Sequence, residues 1–191
     1  MLWRFTLYCL HLRQGLKVTL LPCTCPVGKV PVVREVPDLR SLEALFPDVK
    51  PGGRWSPSHC VARHRVAIIV PYRDRLQNLR VFLHHMHQFL RKQELDYAIY
   101  VIEQSGQGDF NRAKLLNIGF EIPKKEYDYD CFVFHDVDLI PNYDKNIYAC
   151  RENPYHLSIC LDAQRYKYAY DTSLLPFFCC LFEKFKRIRL P

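Results

Sequence analysis

The 191-residue chain carries 27 Lys plus Arg against 20 Asp plus Glu, a net charge of +7, and is 49% apolar. That length suits one domain with one core. The positive charge is spread rather than gathered into a block, and no RNP-like aromatic motif, zinc-finger spacing or Lys/Arg tract speaks for nucleic acid as a partner.

Nine cysteines, an odd and heavy load, point to an oxidising secretory compartment with at least one thiol unpaired within the chain. In residues 1–19 the apolar stretch is broken by Arg4 and His11 and falls short of the ~20 apolar residues of a membrane span. A poor signal peptide and the stump of an anchor both fit, so no membrane attachment is evident. No Asn-X-Ser/Thr sequon is present to mark the compartment.

From residue 20 to 64 the chain holds Pro22, Pro26, Pro31, Pro37, Pro47, Pro51 and Pro57 with Gly28, Gly52 and Gly53. This excludes long helices and predicts an irregular wrap, with one short helix at Asp38–Leu45. Val66–Val70 then reads as a buried strand by length and β-branching, closed by Pro71. Leu79, Phe82, Leu83, Met86, Phe89 and Leu90 recur at helical spacing. Tyr97–Ile102 is a second strand, Phe110–Lys125 a helix weakened near its end by Pro123, and Cys131–His135 a third strand.

Strand, helix, strand, helix, strand at these lengths predicts an α/β domain whose parallel sheet is covered by helices. Past Tyr170 the character changes to DTSLLPFFCCLFEKFKRIRLP. Leu174–Phe182 is too short to span a bilayer, and either an interfacial segment or an adventitious tail explains it. The expected division is 1–19 unassigned, 20–64 wrap, 65–170 α/β region and 171–191 tail.

Ligands of open parallel sheets bind beyond the carboxyl ends of the strands. The first strand ends in Pro71-Tyr72-Arg73-Asp74-Arg75, where two guanidiniums can fork onto a diphosphate and an aromatic can stack on a base. An ordinary charged loop, with the arginines paired to Asp74, explains the same residues. The second strand leads through Glu103-Gln104-Ser105-Gly106 to Phe110-Asn111-Arg112 at a helix N-terminus, where backbone donors favour anions. A basic, solvated first turn accounts for the same residues equally. The third strand delivers Asp136 and Asp138, which alternation would point to one face if the chain stays extended. Two carboxylates so close favour a hard divalent cation such as magnesium or manganese; a charged turn is the competing reading. His84, His85 and His87 lack a carboxylate at productive spacing and read as a half-solvated helix face. His135 is either a supporting group behind Asp136 or a polar strand end.

Together, VAIIVPYRDR, FNRAKLLNIGF and CFVFHDVDLIP, in this order, resemble the β-1,4-galactosyltransferase family over about Leu20 to Tyr170. The resemblance implies a GT-A type Rossmann-like fold, incomplete at its C-terminal side, and a Golgi enzyme that moves galactose from UDP-galactose to N-acetylglucosamine-type glycan acceptors with manganese. It implies donor contacts at Pro71, Tyr72, Arg73, Asp74 and Arg75, where the family commonly has Pro-Phe-Arg-Asn-Arg, so Tyr72 and Asp74 depart from it. It further implies donor contacts at Phe110, Asn111, Arg112, Val137 and Asp138, with Asp138 as a manganese ligand, and disulfides Cys25–Cys60 and Cys131–Cys150. Cys9, Cys23, Cys160, Cys179 and Cys180 have no counterpart in the family pattern.

The family's Trp-Gly-Trp-Gly-Gly-Glu-Asp-Asp-Asp run, which carries acceptor contacts and the catalytic base, and a later metal-binding His are not found after Tyr170. Asp144, Glu152, Asp162, Asp171 and Glu183 are scattered instead. Inverting transfer needs a base for the acceptor hydroxyl, so the expectation is a donor-binding chain with no catalytic residue of its own and impaired or absent transfer. The alternatives are a non-catalytic UDP-sugar and metal-binding fragment that modulates a full-length homologue, or an unstable splice or gene-model product.

Overall fold

A computed structural model describes residues 31–36, 38–143, 145–155 and 157, and the backbone of 180–182. The expected segment 1–19 and all but three residues of the expected tail 171–191 lie outside these residues, as does Cys25. The described elements run α1 (Leu39–Leu45), β1 (Arg54–Trp55), β2 (Arg65–Tyr72), α2 (Leu76–Lys92), β3 (Asp96–Glu103), α3 (Arg112–Glu121), α4 (Pro123–Glu126), β4 (Cys131–Phe134) and β5 (Cys180–Phe182).

The strands form one sheet in the order β1-β3-β2-β4-β5. β2 is central and parallel to both neighbours, with Ile68 level with Ile99 on one side and Val133 on the other. The edge strands β1 and β5 run antiparallel to β3 and β4. The result is a mixed sheet with a parallel core and helices on both faces, the predicted α/β class, extended by antiparallel edges that periodicity did not announce.

β2 reads as a continuous apolar run because both of its faces are covered. On one face Val66, Ile68 and Val70 meet Phe82, Met86, Phe89 and Leu90 of α2, four side chains with no exposed surface. Burying each contributes about 1.5–3 kcal/mol. On the other face Ala67 and Ile69 meet Leu116 and Phe120 of α3, with Ala98, Phe132 and Phe134 from the flanking strands. Gly119 brings α3 close to this face: a Cβ there would overlap Ile69 Cγ2 and come within 2.9 Å of Ile102 Cγ1.

The irregular wrap contains the predicted short helix, with the Asp38 carboxylate accepting hydrogen bonds from the Arg40 and Ser41 amides at 2.9 and 3.0 Å as its N-cap. The wrap is pinned to α2 by Asp48, which accepts from Trp55 Nε1 and Arg91 at 2.8 and 2.7 Å. Two sequence expectations need correction. The helix predicted across Phe110–Lys125 is two helices broken at Ile122, with Pro123 opening α4, because proline suits a first helical turn and not an interior one. His85 and His87 are not half-solvated: they are 1% and 7% exposed, since α2 lies between the sheet, the wrap and the segment after β4.

Among the described residues no helix is long and apolar enough to cross a membrane. Cys131 and Cys150 form the expected disulfide, with Cα atoms 5.6 Å apart. Cys60 is also disulfide-bonded; its expected partner, Cys25, lies outside the described residues.

Candidate functional site

β2, β3 and β4 are parallel, so their carboxyl ends share one rim, and each sequence-predicted site segment follows one of them. β2 delivers Pro71 and Tyr72, both buried, and then bends at Asp74, whose φ is +50°. Asp and Asn are the side chains that tolerate this left-handed region best after glycine, which gives a physical reason for Asp or Asn between the two arginines.

Neither arginine pairs with Asp74 in a simple charged loop. The Arg73 guanidinium donates to the Gly108 carbonyl and lies 5.4 Å from the Phe110 ring centroid. Arg75 reaches across to Asp138, Nη1 to Oδ2 3.0 Å. Arg112 donates from Nε to Asp136 Oδ1 at 2.8 Å. Two guanidinium–carboxylate pairs therefore tie the rim together, Arg75 past the end of β2 and Arg112 at the start of α3 both meeting the loop after β4.

That loop is not extended. β4 stops at Phe134, and the Leu139 amide turns back to the Asp136 carbonyl at 3.3 Å, so strand alternation does not govern the two carboxylates. They remain electrostatically coupled: burial pushes the Asp136 carboxyl above the ordinary aspartate range, Arg112 opposes that, and the Asp138 charge adds to the rise. Val137 between them is buried. Asn111 caps α3, its Oδ1 accepting from the Lys114 amide at 2.9 Å, and Phe110 is exposed on the rim.

The loop is supported from below. His135 is fully buried; its Nδ1 lies 2.9 Å from the Asp136 carbonyl and its Nε2 2.8 Å from the Tyr148 hydroxyl. A neutral ring with the proton on Nδ1 satisfies both contacts, donating to the carbonyl and accepting from Tyr148. Burial agrees with this state, pushing the imidazole down to about 4. Gln93 at the end of α2 accepts from the Tyr148 amide at 2.9 Å and donates to the Asn146 carbonyl at 3.1 Å. Of the two readings of His135, the supporting one holds. Gln93 and Tyr148 escaped sequence reasoning because nothing in their spacing links them to the strand end.

The donor set suits a hard cation. Asp138 has 46% of its side chain exposed, so a carboxylate oxygen is available at the rim with Asp136 close by. A second group of ligand atoms, His59, Cys60 and Glu94, lies within 4.8 Å of one another. Cys60 is disulfide-bonded there, and its sulfur is no thiolate ligand. A shallow apolar hollow on the outer side of α3, lined by Lys114, Asn117, Ile118, Glu121 and Ile122, contains none of the predicted site residues.

A doubly covered sheet that gathers arginines, a capped helix N-terminus and two aspartates at its carboxyl rim defines an α/β domain of the open-sheet kind, whose ligand sites as a class lie at that rim. The chain belongs to the glycosyl transferase group 7 family, whose N-terminal region matches residues 22–151. It is 54% identical over 125 residues to β-1,4-galactosyltransferase 1 of Mus musculus, covering 65% of this chain and 31% of that protein. It is 46% identical over 146 residues to β-1,4-galactosyltransferase 3 of Cricetulus griseus, covering 75% and 37% respectively. The chain thus spans about a third of the curated relatives it matches. Among solved structures it is similar to a mutant of Drosophila β-1,4-galactosyltransferase 7 in complex with manganese, UDP-Gal and xylobiose, with a TM-score of 0.53 and 33% identity over 62% of this chain and 49% of that one.

Proposed function

We propose that this chain carries the donor side of a galactosyltransferase, holding UDP-galactose at the rim of β2, β3 and β4. The observation that carries the reading is the meeting of Arg75, past the end of β2, and Arg112, at the start of α3, with the two carboxylates of the loop after β4. In it Arg73 and Arg75 hold the diphosphate, Phe110, Asn111 and Arg112 line the nucleotide with Tyr72 and Val137, and Pro71 and Asp74 shape the bend. Asp138 is the metal ligand. Manganese, present in the Drosophila complex, would neutralise the departing diphosphate. Arg75 exchanges Asp138 for phosphate when donor and cation arrive, so the free site holds its charges in balance.

Calorimetry with UDP and manganese tests this. Binding by the parent and its loss in Asp138→Asn are the expected results. No heat with the parent, or an Asp138→Asn variant that binds like it, overturns the reading.

Asp136 is held by Arg112 and Asp138 is assigned to the cation, which leaves neither free to take the proton from an incoming hydroxyl. This favours a second reading, in which the chain binds UDP-galactose without transferring it and modulates a full-length homologue. Incubation with UDP-galactose, manganese and N-acetylglucosamine separates the two: product shows transfer to a glycan acceptor, and binding without product supports the second reading. A Golgi location goes with either, supported by the Cys131–Cys150 disulfide, which needs an oxidising compartment; immunolocalisation to the cytosol would contradict it.

A further inference from the structure

One rim residue absent from the predicted site ties more of the rim together than any of those predicted. Gln104 directly follows β3. Its backbone amide donates to the Tyr72 carbonyl at 3.0 Å, which joins the end of β2 to the start of the β3–α3 connection. Its side chain then bridges that connection: Oε1 accepts from the Asn111 amide at 2.7 Å and Nε2 donates to the Asp109 carbonyl at 2.9 Å. The intervening Ser105, Gly106, Gln107, Gly108 and Asp109 are exposed, with Gly106 at φ +82°, so this segment has little packing of its own to hold its shape.

We infer that Gln104 is a positioning residue of the donor site, a two-pronged strap that closes the 105–110 connection and sets Phe110, Asn111 and Arg112 against the rim. The inference rests on the donor-site reading. The geometry separates the strap from a general structural role. Both side-chain bonds land on the two residues flanking Phe110, at the mouth of α3. Asn111 in turn caps α3, and Arg112 begins it and pairs with Asp136. An amide is the group the geometry asks for, since one end must accept and the other donate; a carboxylate accepts at both.

The test is a three-variant comparison of UDP–manganese affinity, the thermal unfolding midpoint and hydrogen exchange at residues 105–112. Gln104→Ala loses both bonds, Gln104→Glu keeps only the acceptor, and Gln107→Ala removes an exposed amide from the same connection. The expected result is UDP affinity weakened about fivefold or more in Gln104→Ala and less in Gln104→Glu, a scale set by losing one to two net hydrogen bonds. Exchange at Asn111 should be faster in Gln104→Ala while exchange in the core strands stays parental, with the unfolding midpoint lowered by no more than about a few degrees and Gln107→Ala like the parent. A Gln104→Ala protein with parental affinity and exchange overturns the inference, as does weakened affinity accompanied by faster exchange throughout the fold. A parent that binds no UDP removes the donor-site reading instead, and the strap then stands or falls on the exchange at Asn111.

Discussion

Asp74 combines a backbone demand with a charge. Its φ of +50° suits Asp or Asn and penalises a β-branched side chain, so Asp74→Val should lower stability by about 1–2 kcal/mol in chemical denaturation. The carboxylate sits between two arginines assigned to a diphosphate, where an anionic ligand has no use for it. Asp74→Asn should therefore leave stability unchanged and tighten UDP binding about twofold, the scale of one exposed charge interaction; weaker binding would assign the carboxylate a positive role. The arginines and aspartates of the rim were legible in the sequence as residue types at strand ends. Their partners were not: Arg75 and Asp138 are 63 residues apart, and no local rule pairs them. Gln104 lay in the quoted run after the second strand, but its role depends on a loop conformation that composition does not specify.

The helices were legible because their apolar spacing has a cause on the sheet. Leu79, Phe82, Met86, Phe89 and Leu90 recur along α2 because that stripe meets the even-numbered residues of β2. α3 has a weaker pattern, and its position depends on Gly119, which spacing alone does not mark. Gly119→Ala should force α3 off Ile69 and Ile102 and destabilise the protein by about 1–3 kcal/mol, even though alanine is the better helix former by ~1 kcal/mol. A gain in unfolding free energy would show that α3 has room to shift. The edge strands escaped sequence reasoning for a simpler reason: β1 is two residues long and β5 three, too short to display any period.

At the scale of the whole molecule, buried histidines link stability to pH. Burial pushes His87 and His135 down to about 4 from an ordinary 6.5. His87 lies 2.9 Å from the Tyr97 hydroxyl, with Arg91 lowering its imidazole further and Asp48 opposing. His135 faces Tyr148 and the Asp136 carbonyl, and His85 lowers it too. The unfolded chain binds these protons first, so their stabilising contribution is complete above about pH 6.5 and falls away towards pH 4, by about 1.4 kcal/mol per unit for each ring. Denaturant unfolding at pH 7 and pH 5 should show this slope, and His87→Gln should flatten it; an equal slope in the variant refutes the assignment. The Cys131–Cys150 bond closes a loop of sequence separation 19 and should contribute about 3 kcal/mol under the loop-entropy model, measurable as the loss in a Cys131→Ser, Cys150→Ser double variant. The same bond makes residues 131–150 a covalent ring that contains Asp136 and Asp138. A protease nick inside that ring would leave both fragments joined, so the chain would run as one species on a gel until reductant is added, and damage at the loop carrying Asp136 and Asp138 would stay hidden in any assay of intact mass under oxidising conditions that overlooks the added water.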